Sequence, residues 1–285
     1  MTSASTASDR TASDSTESDR TVSDRTVSDR ITSEDLRPDH PRSDPVSRRA
    51  LMVRGGWEGH HPVEATELFV PFLQAEGFEV RREDSPAVYA DAEVMAGFDL
   101  IIPCVSMGQI EPEELAGLRA AVEAGAGMAG WHGGIVDSYR DRTAYLQLVG
   151  GQFVCHPSRH PDEPARSAEP ARTENENDVV HTVTVLPEAK AHPITAGIDA
   201  FELVTEQYWM LTDDYIDVLA TTTQKVRDGD PWHREVTSPA VWTRQWGRGR
   251  IAVCTPGHDL EVLRDPNVRT IIERSMLWAA RPVGA

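Results

Sequence analysis

The sequence predicts an α/β fold: a mostly parallel central sheet covered on both faces by helices, extended by antiparallel strands toward the C-terminus. Three observations predict it. Short apolar runs alternate with amphipathic helical stretches from Ala50 to Gly151, consecutive strand-like segments follow without helices between them, and the chain closes on an amphipathic helix. Strands that alternate with helices of this length form parallel sheets, because each crossover lays its helix on a sheet face.

The first 49 of the 285 residues stand apart from this pattern. Pentads run from Ser8 to Thr32, with Ser-Asp-Arg recurring at Ser8, Ser18, Ser23 and Ser28 and a degenerate copy at Ser13. Only Val22, Val27 and Ile31 are large and apolar there, too little to offset an ordering cost of about 1–2 kcal/mol per residue. A disordered tail over residues 1–49 is therefore expected, followed by one domain over 50–285. The tail has neither the continuous apolar core of a secretory signal nor the scarcity of acids of a transit peptide, and the expected compartment is the cytoplasm.

Within the domain, Ala50 to Arg54 reads as a strand ending at Gly55-Gly56, and Val63 to Ala75 as a helix with Leu68, Phe72 and Ala75 on one face. Phe78 to Arg81 is a second strand and Asp99 to Val105 a buried third. Pro112 to Ala124 is a helix, Ala126 to Trp131 a fourth strand, and Tyr139 to Leu148 a further helical stretch. The Pro-, Glu- and Arg-rich segment from Pro157 to Asn177 reads as an inserted surface loop. Val179 to Leu186 alternates as a strand, and Phe201 to Met210 is a second β-like run. Ala240 to Thr243 pairs with Arg250 to Thr255 across Gly247-Arg248-Gly249. The closing helix, Pro266 to Ala280, carries Pro in its first turn and places Ile271, Ile272, Ser275 and Trp278 near one face.

Asp and Glu outnumber Lys and Arg by 46 to 28, and the tail holds only 10 of those acids and 8 of those bases, so the domain carries nearly all the negative charge. Such a surface repels duplex nucleic acid and anionic membranes, and no run approaches the roughly 20 apolar residues of a membrane span. Neither is an expected partner. Three widely spaced cysteines, Cys104, Cys155 and Cys254, supply no disulfide framework and no Cys-x-x-Cys zinc site. Cys104 and Cys254 sit in apolar runs and read as small core residues.

In open parallel sheets ligands bind beyond the carboxyl ends of the strands, so the loops after Arg54, Val105 and Trp131 are the ones to inspect. Gly130-Trp131-His132-Gly133-Gly134 follows the fourth strand and precedes a helical stretch, the strand-turn-helix pattern of a nucleophile elbow, with His132 as the displayed residue. An imidazole cannot replace the thiolate of a glutaminase, so that activity is not expected. His258, after Pro256-Gly257, occupies another strand-end loop. Glu206 and Tyr208 lie two residues apart in Thr205-Glu206-Gln207-Tyr208-Trp209 and would share one strand face. His60 and His61 follow the first strand. His132, Glu206 and His258 are the expected catalytic residues, and His60, His61, Trp131 and Tyr208 the expected substrate contacts, with His156 an outlying candidate. No Rossmann fingerprint, Walker A sequence or Gly-x-Ser-x-Gly occurs. These donors admit a divalent metal such as zinc, held by His132, His258 and Glu206 with His60 or His61 nearby, and the alternative is a metal-free polar pocket.

Several short motifs in fixed order carry a resemblance. Arg54-Gly55-Gly56 with His60-His61, Gly130-Trp131-His132-Gly133, Leu148-Val149-Gly150-Gly151-Gln152-Phe153 with His156-Pro157, His192-Pro193-Ile194, Thr205-Glu206-Gln207-Tyr208 and Pro256-Gly257-His258 together resemble the ThuA-like (trehalose utilisation) family over nearly the whole domain. The resemblance implies a flavodoxin-like, class I glutamine amidotransferase-like three-layer sandwich without that superfamily's catalytic cysteine. It also implies a role in the use of trehalose or related disaccharides beside an oxidoreductase that makes 3-keto sugars. The expected activity is thus isomerase, lyase or hydrolase chemistry on a keto sugar. The expected ligand is a small carbohydrate, and a sugar oxidoreductase is the expected partner. The alternative is a non-catalytic sugar-binding or scaffold subunit of that oxidoreductase.

Overall fold

The computed structural model describes residues 48–157 and 177–282. The pentad tail lies outside the described residues, as does nearly all of the segment expected to be an inserted loop. Strands β1 (Arg48–Gly56), β2 (Phe78–Glu83), β3 (Leu100–Ser106) and β4 (Gly127–Trp131) lie where the apolar runs place them. They join β11 (Gly249–Cys254), β10 (Val236–Trp246), β9 (Asp217–Gln224), β6 (Asp178–Val185) and β7 (Phe201–Glu206) in a nine-stranded sheet of order β2-β1-β3-β4-β11-β10-β9-β6-β7. Pairing is parallel from β2 through β11 and antiparallel from β11 through β7. Two further strands, β5 (Gly151–Cys155) and β8 (Trp209–Thr212), form a small antiparallel sheet of their own.

Period-2 alternation divides the core between the sheet's two faces. Ala50, Met52, Leu100, Ile102, Ala129 and Ala252 face one buried cluster, while Leu51, Val53, Ile101, Met128, Ile251 and Val253 face the other. Helices α1 (Pro62–Glu67), α2 (Val70–Ala75) and α7 (Pro266–Ala279) cover the first face. Helices α3 (Ala92–Ala96), α4 (Pro112–Glu123), α5 (Gly133–Val136) and α6 (Thr143–Val149) cover the second. Cys104 and Cys254 are buried, as their runs predict. Among the described residues no helix is long and apolar enough to cross a membrane.

Several elements differ from expectation. The helix expected from Val63 to Ala75 is two, because Pro71 in the first turn of α2 has no N–H to continue α1. The break rotates the buried face onto Ala65, Phe69, Val70 and Leu73, leaving Leu68 and Phe72 at its margin. The β-like run from Phe201 to Met210 is β7 and β8 in different sheets, with Gln207-Tyr208 as the corner between them. The Gln207 amide donates to Thr222 Oγ1 of β9 at 2.7 Å and pins that corner. Strands β5 and β9 were not expected; β9 is rich in Thr and has little apolar contrast.

Five strand spacings of about 4.8 Å would put β7 some ~24 Å from β4 in a flat sheet. Glu206 at the end of β7 nevertheless lies 3.2 Å from His132 just after β4, so the antiparallel extension curls back over the carboxyl edge of the parallel half. The register of β10 on β9 shifts at Pro239/Val241 and again at Val241/Trp242, and bulges of this kind bend a strand and increase its twist.

Candidate functional site at the carboxyl edge

The site begins with the turn after β4. His132 adopts φ 47° and ψ −146°, a conformation that costs a non-glycine residue about 1–3 kcal/mol unless its surroundings hold it. Its backbone N–H donates to Cys254 O at 2.8 Å and its Nδ1–H to Thr255 O at 2.8 Å, so the end of β11 fixes both backbone and ring. The next two residues must be small. A Cβ at Gly133 would lie 2.6 Å from His60 Cε1 and 3.0 Å from Ser106 Oγ, and one at Gly134 would lie 3.0 Å from Cys104 Cα. The glycines that suggest an elbow in the sequence therefore also make room for β3 and for the first strand's loop.

One donor atom from each of His60, His132, Glu206 and His258 lies within 4.8 Å of the others. His60 comes from the turn after β1, His132 from the elbow, His258 from the loop after β11, and Glu206 from the end of the curled extension. His132 Nε2 and His258 Nδ1 each lie 3.2 Å from Glu206 Oε2. The Tyr208 hydroxyl donates to His132 Nε2 at 2.7 Å, and the two rings stack with centroids 4.2 Å apart. His60 Nδ1 lies 2.7 Å from Ser106 Oγ at the end of β3. His156 joins at the rim, its Nε2 3.7 Å from Glu206 Oε1.

The cluster is dry. His132 is 2% exposed and Glu206 6%. Burial holds the His132 imidazole below its ordinary pKa, against the pull of Glu206. Burial also pushes His60 down to about 2, reinforced by repulsion from His132 and His258. Burial disfavours the Glu206 carboxylate, but its contacts with His132 and His258 outweigh that penalty and hold it well below the usual carboxylate range. Burial, with the nearby Glu206 charge, raises the Tyr208 phenol well above 10 and keeps it a donor. The result is a neutral His60, a neutral His132 and an un-ionised phenol beside one carboxylate.

Of the residues singled out from sequence, the structure brings together His60, His132, Glu206, Tyr208, His258 and the outlying His156. His61 is exposed in a left-handed conformation and is not part of the cluster. Trp131 is a correction: it is 2% exposed and packs against Phe69 with ring centroids 4.9 Å apart, because the strand's alternation turns it into the core. The aromatic left open beside the cluster is Trp57, 47% exposed, its ring 4.7 Å from that of His60. Trp57, Ser106 and Thr255 were missed from sequence. All three sit at carboxyl ends of parallel strands, which is the one signal that could have found them.

A mostly parallel α/β sheet of order β2-β1-β3-β4 with its polar cluster at the carboxyl edge defines a doubly wound α/β protein with a strand-end site. The profile of the ThuA family, trehalose utilisation, matches residues 49–279, and the chain belongs to that family. Among solved structures, a ThuA-like protein from Bacteroides uniformis superposes with a TM-score of 0.62 at 18% identity, covering 86% of this chain and 95% of its own. A ThuA-like protein from Parabacteroides merdae gives 0.60 at 15% identity, covering 81% and 89%. A cytoplasmic protein from Salmonella typhimurium gives 0.52 at 14%, covering 82% and 100%. At these identities the likeness shows the fold. No curated protein matches the sequence.

Proposed function

We propose that this protein is an enzyme of disaccharide metabolism that acts on a 3-keto sugar, of the kind a partner sugar oxidoreductase would supply, by proton transfer next to the carbonyl. The observation that carries this reading is the convergence of three imidazoles, one carboxylate and a phenol within one buried cluster. A ketone makes the neighbouring C–H acidic. A neutral imidazole or carboxylate at the site removes that proton, and the electron pair passes into an enediolate. The enediolate then either takes a proton at the other carbon, which is isomerisation, or expels the oxygen substituent one carbon further on as a general acid protonates it, which is elimination. The Tyr208 hydroxyl, un-ionised at neutral pH, can donate to the developing enediolate oxygen. Trp57 offers an open aromatic face on which the apolar side of a sugar ring can stack.

The test is turnover of a 3-keto disaccharide by the purified chain, followed by loss of the keto sugar and identification of the product. The expected result is a single product, with at least a 100-fold loss in Glu206→Gln. Binding and thermal stabilisation by the sugar without any product would overturn the reading and leave a sugar-binding subunit.

A further inference from the structure

We infer that His60, His132, His258 and Glu206 form a binding site for a late first-row divalent cation of the zinc class. The four residues come from four separate chain segments yet offer one donor atom each within a 4.8 Å circle. Donors about 2.0–2.2 Å from a tetrahedral ion stand roughly 3.3–3.6 Å apart, so the cluster would have to contract by roughly 1 Å across its widest pair to hold one.

The argument rests on how the imidazole rings are oriented. Thr255 O can only accept, so His132 Nδ1 carries a proton, and in the neutral ring Nε2 is a lone pair. That lone pair faces a carboxylate oxygen, Glu206 Oε2, at 3.2 Å. The same Nε2 accepts from the Tyr208 hydroxyl at 2.7 Å, so a nitrogen lone pair and a carboxylate oxygen converge on one point, where a divalent ion would bridge them. His60 repeats the pattern: its Nδ1 is engaged by Ser106 Oγ at 2.7 Å, which leaves Nε2 for another partner. A ligating imidazole whose second nitrogen is held by a carbonyl or hydroxyl is the usual orientation at metal centres, because the outer bond fixes the tautomer and the ring plane. Here the outer bonds come from the ends of β3 and β11.

Donor chemistry selects the ion. Three imidazoles and one carboxylate suit zinc and its neighbours, whereas magnesium and calcium prefer oxygen donors. The Tyr208 hydroxyl, which shares His132 Nε2 at 2.7 Å, has to give up that lone pair when the ion binds. A bound ion would polarise a sugar carbonyl. Since a coordinated nitrogen cannot take a proton, His156 at the rim, 3.7 Å from Glu206 Oε1, is then the imidazole left for proton transfer. That last assignment rests on the keto-sugar reading; the metal site does not.

The test uses the full chain without a His tag, stripped with a chelator and titrated with zinc, cobalt and magnesium in the absence of sugar. One equivalent of zinc and of cobalt is expected, with magnesium at least 1,000-fold weaker and a cobalt absorption spectrum typical of nitrogen and oxygen ligation at low coordination number. Glu206→Gln and His258→Ala should each weaken zinc by at least 100-fold, with circular dichroism confirming that both remain folded. His61→Ala, next to the cluster but outside it, should bind as the wild type does. Substoichiometric zinc, equal affinity for zinc and magnesium, or unchanged affinity in both folded variants would overturn the site. Tight zinc binding with no turnover of a keto sugar would instead overturn the proposed function and leave the site standing.

Discussion

Gly133→Ala tests the close packing of the elbow against the first strand's loop. Gly133 does not have a positive φ and opens α5, so the backbone itself would accept alanine and gain up to about 1 kcal/mol in helix propensity. The new methyl would lie 2.6 Å from His60 Cε1 and 2.9 Å from its Nδ1, against an ordinary carbon contact of about 3.5–4.0 Å. The ring must retreat by ~1 Å, which breaks its contact with Ser106 Oγ, now 2.7 Å. Overpacking costs about 1–3 kcal/mol and the lost hydrogen bond about 0.5–1.5. After a full propensity gain the net loss is about 0.5–3.5 kcal/mol, a fall in Tm on the order of 5 °C for a domain of this size. An ångström's misplacement in a catalytic cluster costs about 100-fold in rate. Differential scanning calorimetry and keto-sugar turnover read the two effects. A variant with raised Tm and undiminished turnover would show that His60 does not pack on the elbow, and the geometry argued for the site would fail with it.

His132→Ala should abolish turnover, and because the ring is buried between Thr255 O and the Tyr208 hydroxyl it should also cost about 1–3 kcal/mol in urea unfolding; unchanged turnover would make His132 structural. Trp57→Ala, at an exposed position, should leave stability within about 0.5 kcal/mol yet raise KM roughly tenfold; an unchanged KM would remove Trp57 from the substrate path. His181 on β6 is held down to about 4 by burial. Its folded pKa is below the unfolded value near 6.5, so its contribution is complete above about pH 6.5 and is lost as pH falls toward 4. Between pH 7 and pH 5 that loss is about 2 kcal/mol, and His181→Gln should lessen the fall in unfolding free energy over that interval by the same amount; parallel pH profiles would refute the assignment. Deleting residues 1–47 should leave Tm unchanged, since the pentads have no apolar face to dock; a lower Tm would show otherwise.

Much of the parallel half was legible because its signals are local. Each of β1 to β4 is a short apolar run ending in small or polar residues, and the period-2 division of Ala50 and Met52 from Leu51 and Val53 follows from strand geometry alone. His132 and His258 were found for the same reason: a strand followed by a glycine-flanked histidine places a side chain at the carboxyl edge whatever the rest of the fold does. Trp131 was misplaced by that reasoning. Being next to the displayed residue, it points to the other side, and here the other side is the core against Phe69. His156 stood apart from the main candidates because its approach to Glu206 depends on the pairing of β5 with β8, and β5 itself was not visible as a strand.

Glu206 was named from its chemistry, but nothing in the sequence places it 3.2 Å from a residue 74 positions away. Its position is set by the cumulative curl of four antiparallel pairings, the bulges around Val241, and the corner pinned by Gln207 on Thr222. None of these is a short-range pattern, because register and twist accumulate across strands that meet only in the folded sheet. The division has a consequence for the chemistry. The parallel half supplies three imidazoles at strand ends, and the extension supplies the carboxylate on which they converge together with the phenol stacked on His132. A change in the extension can therefore move Glu206 and Tyr208 as a pair and leave the histidines in place, so the geometry of the site depends on packing at β9 and β10 as well as on the strand ends.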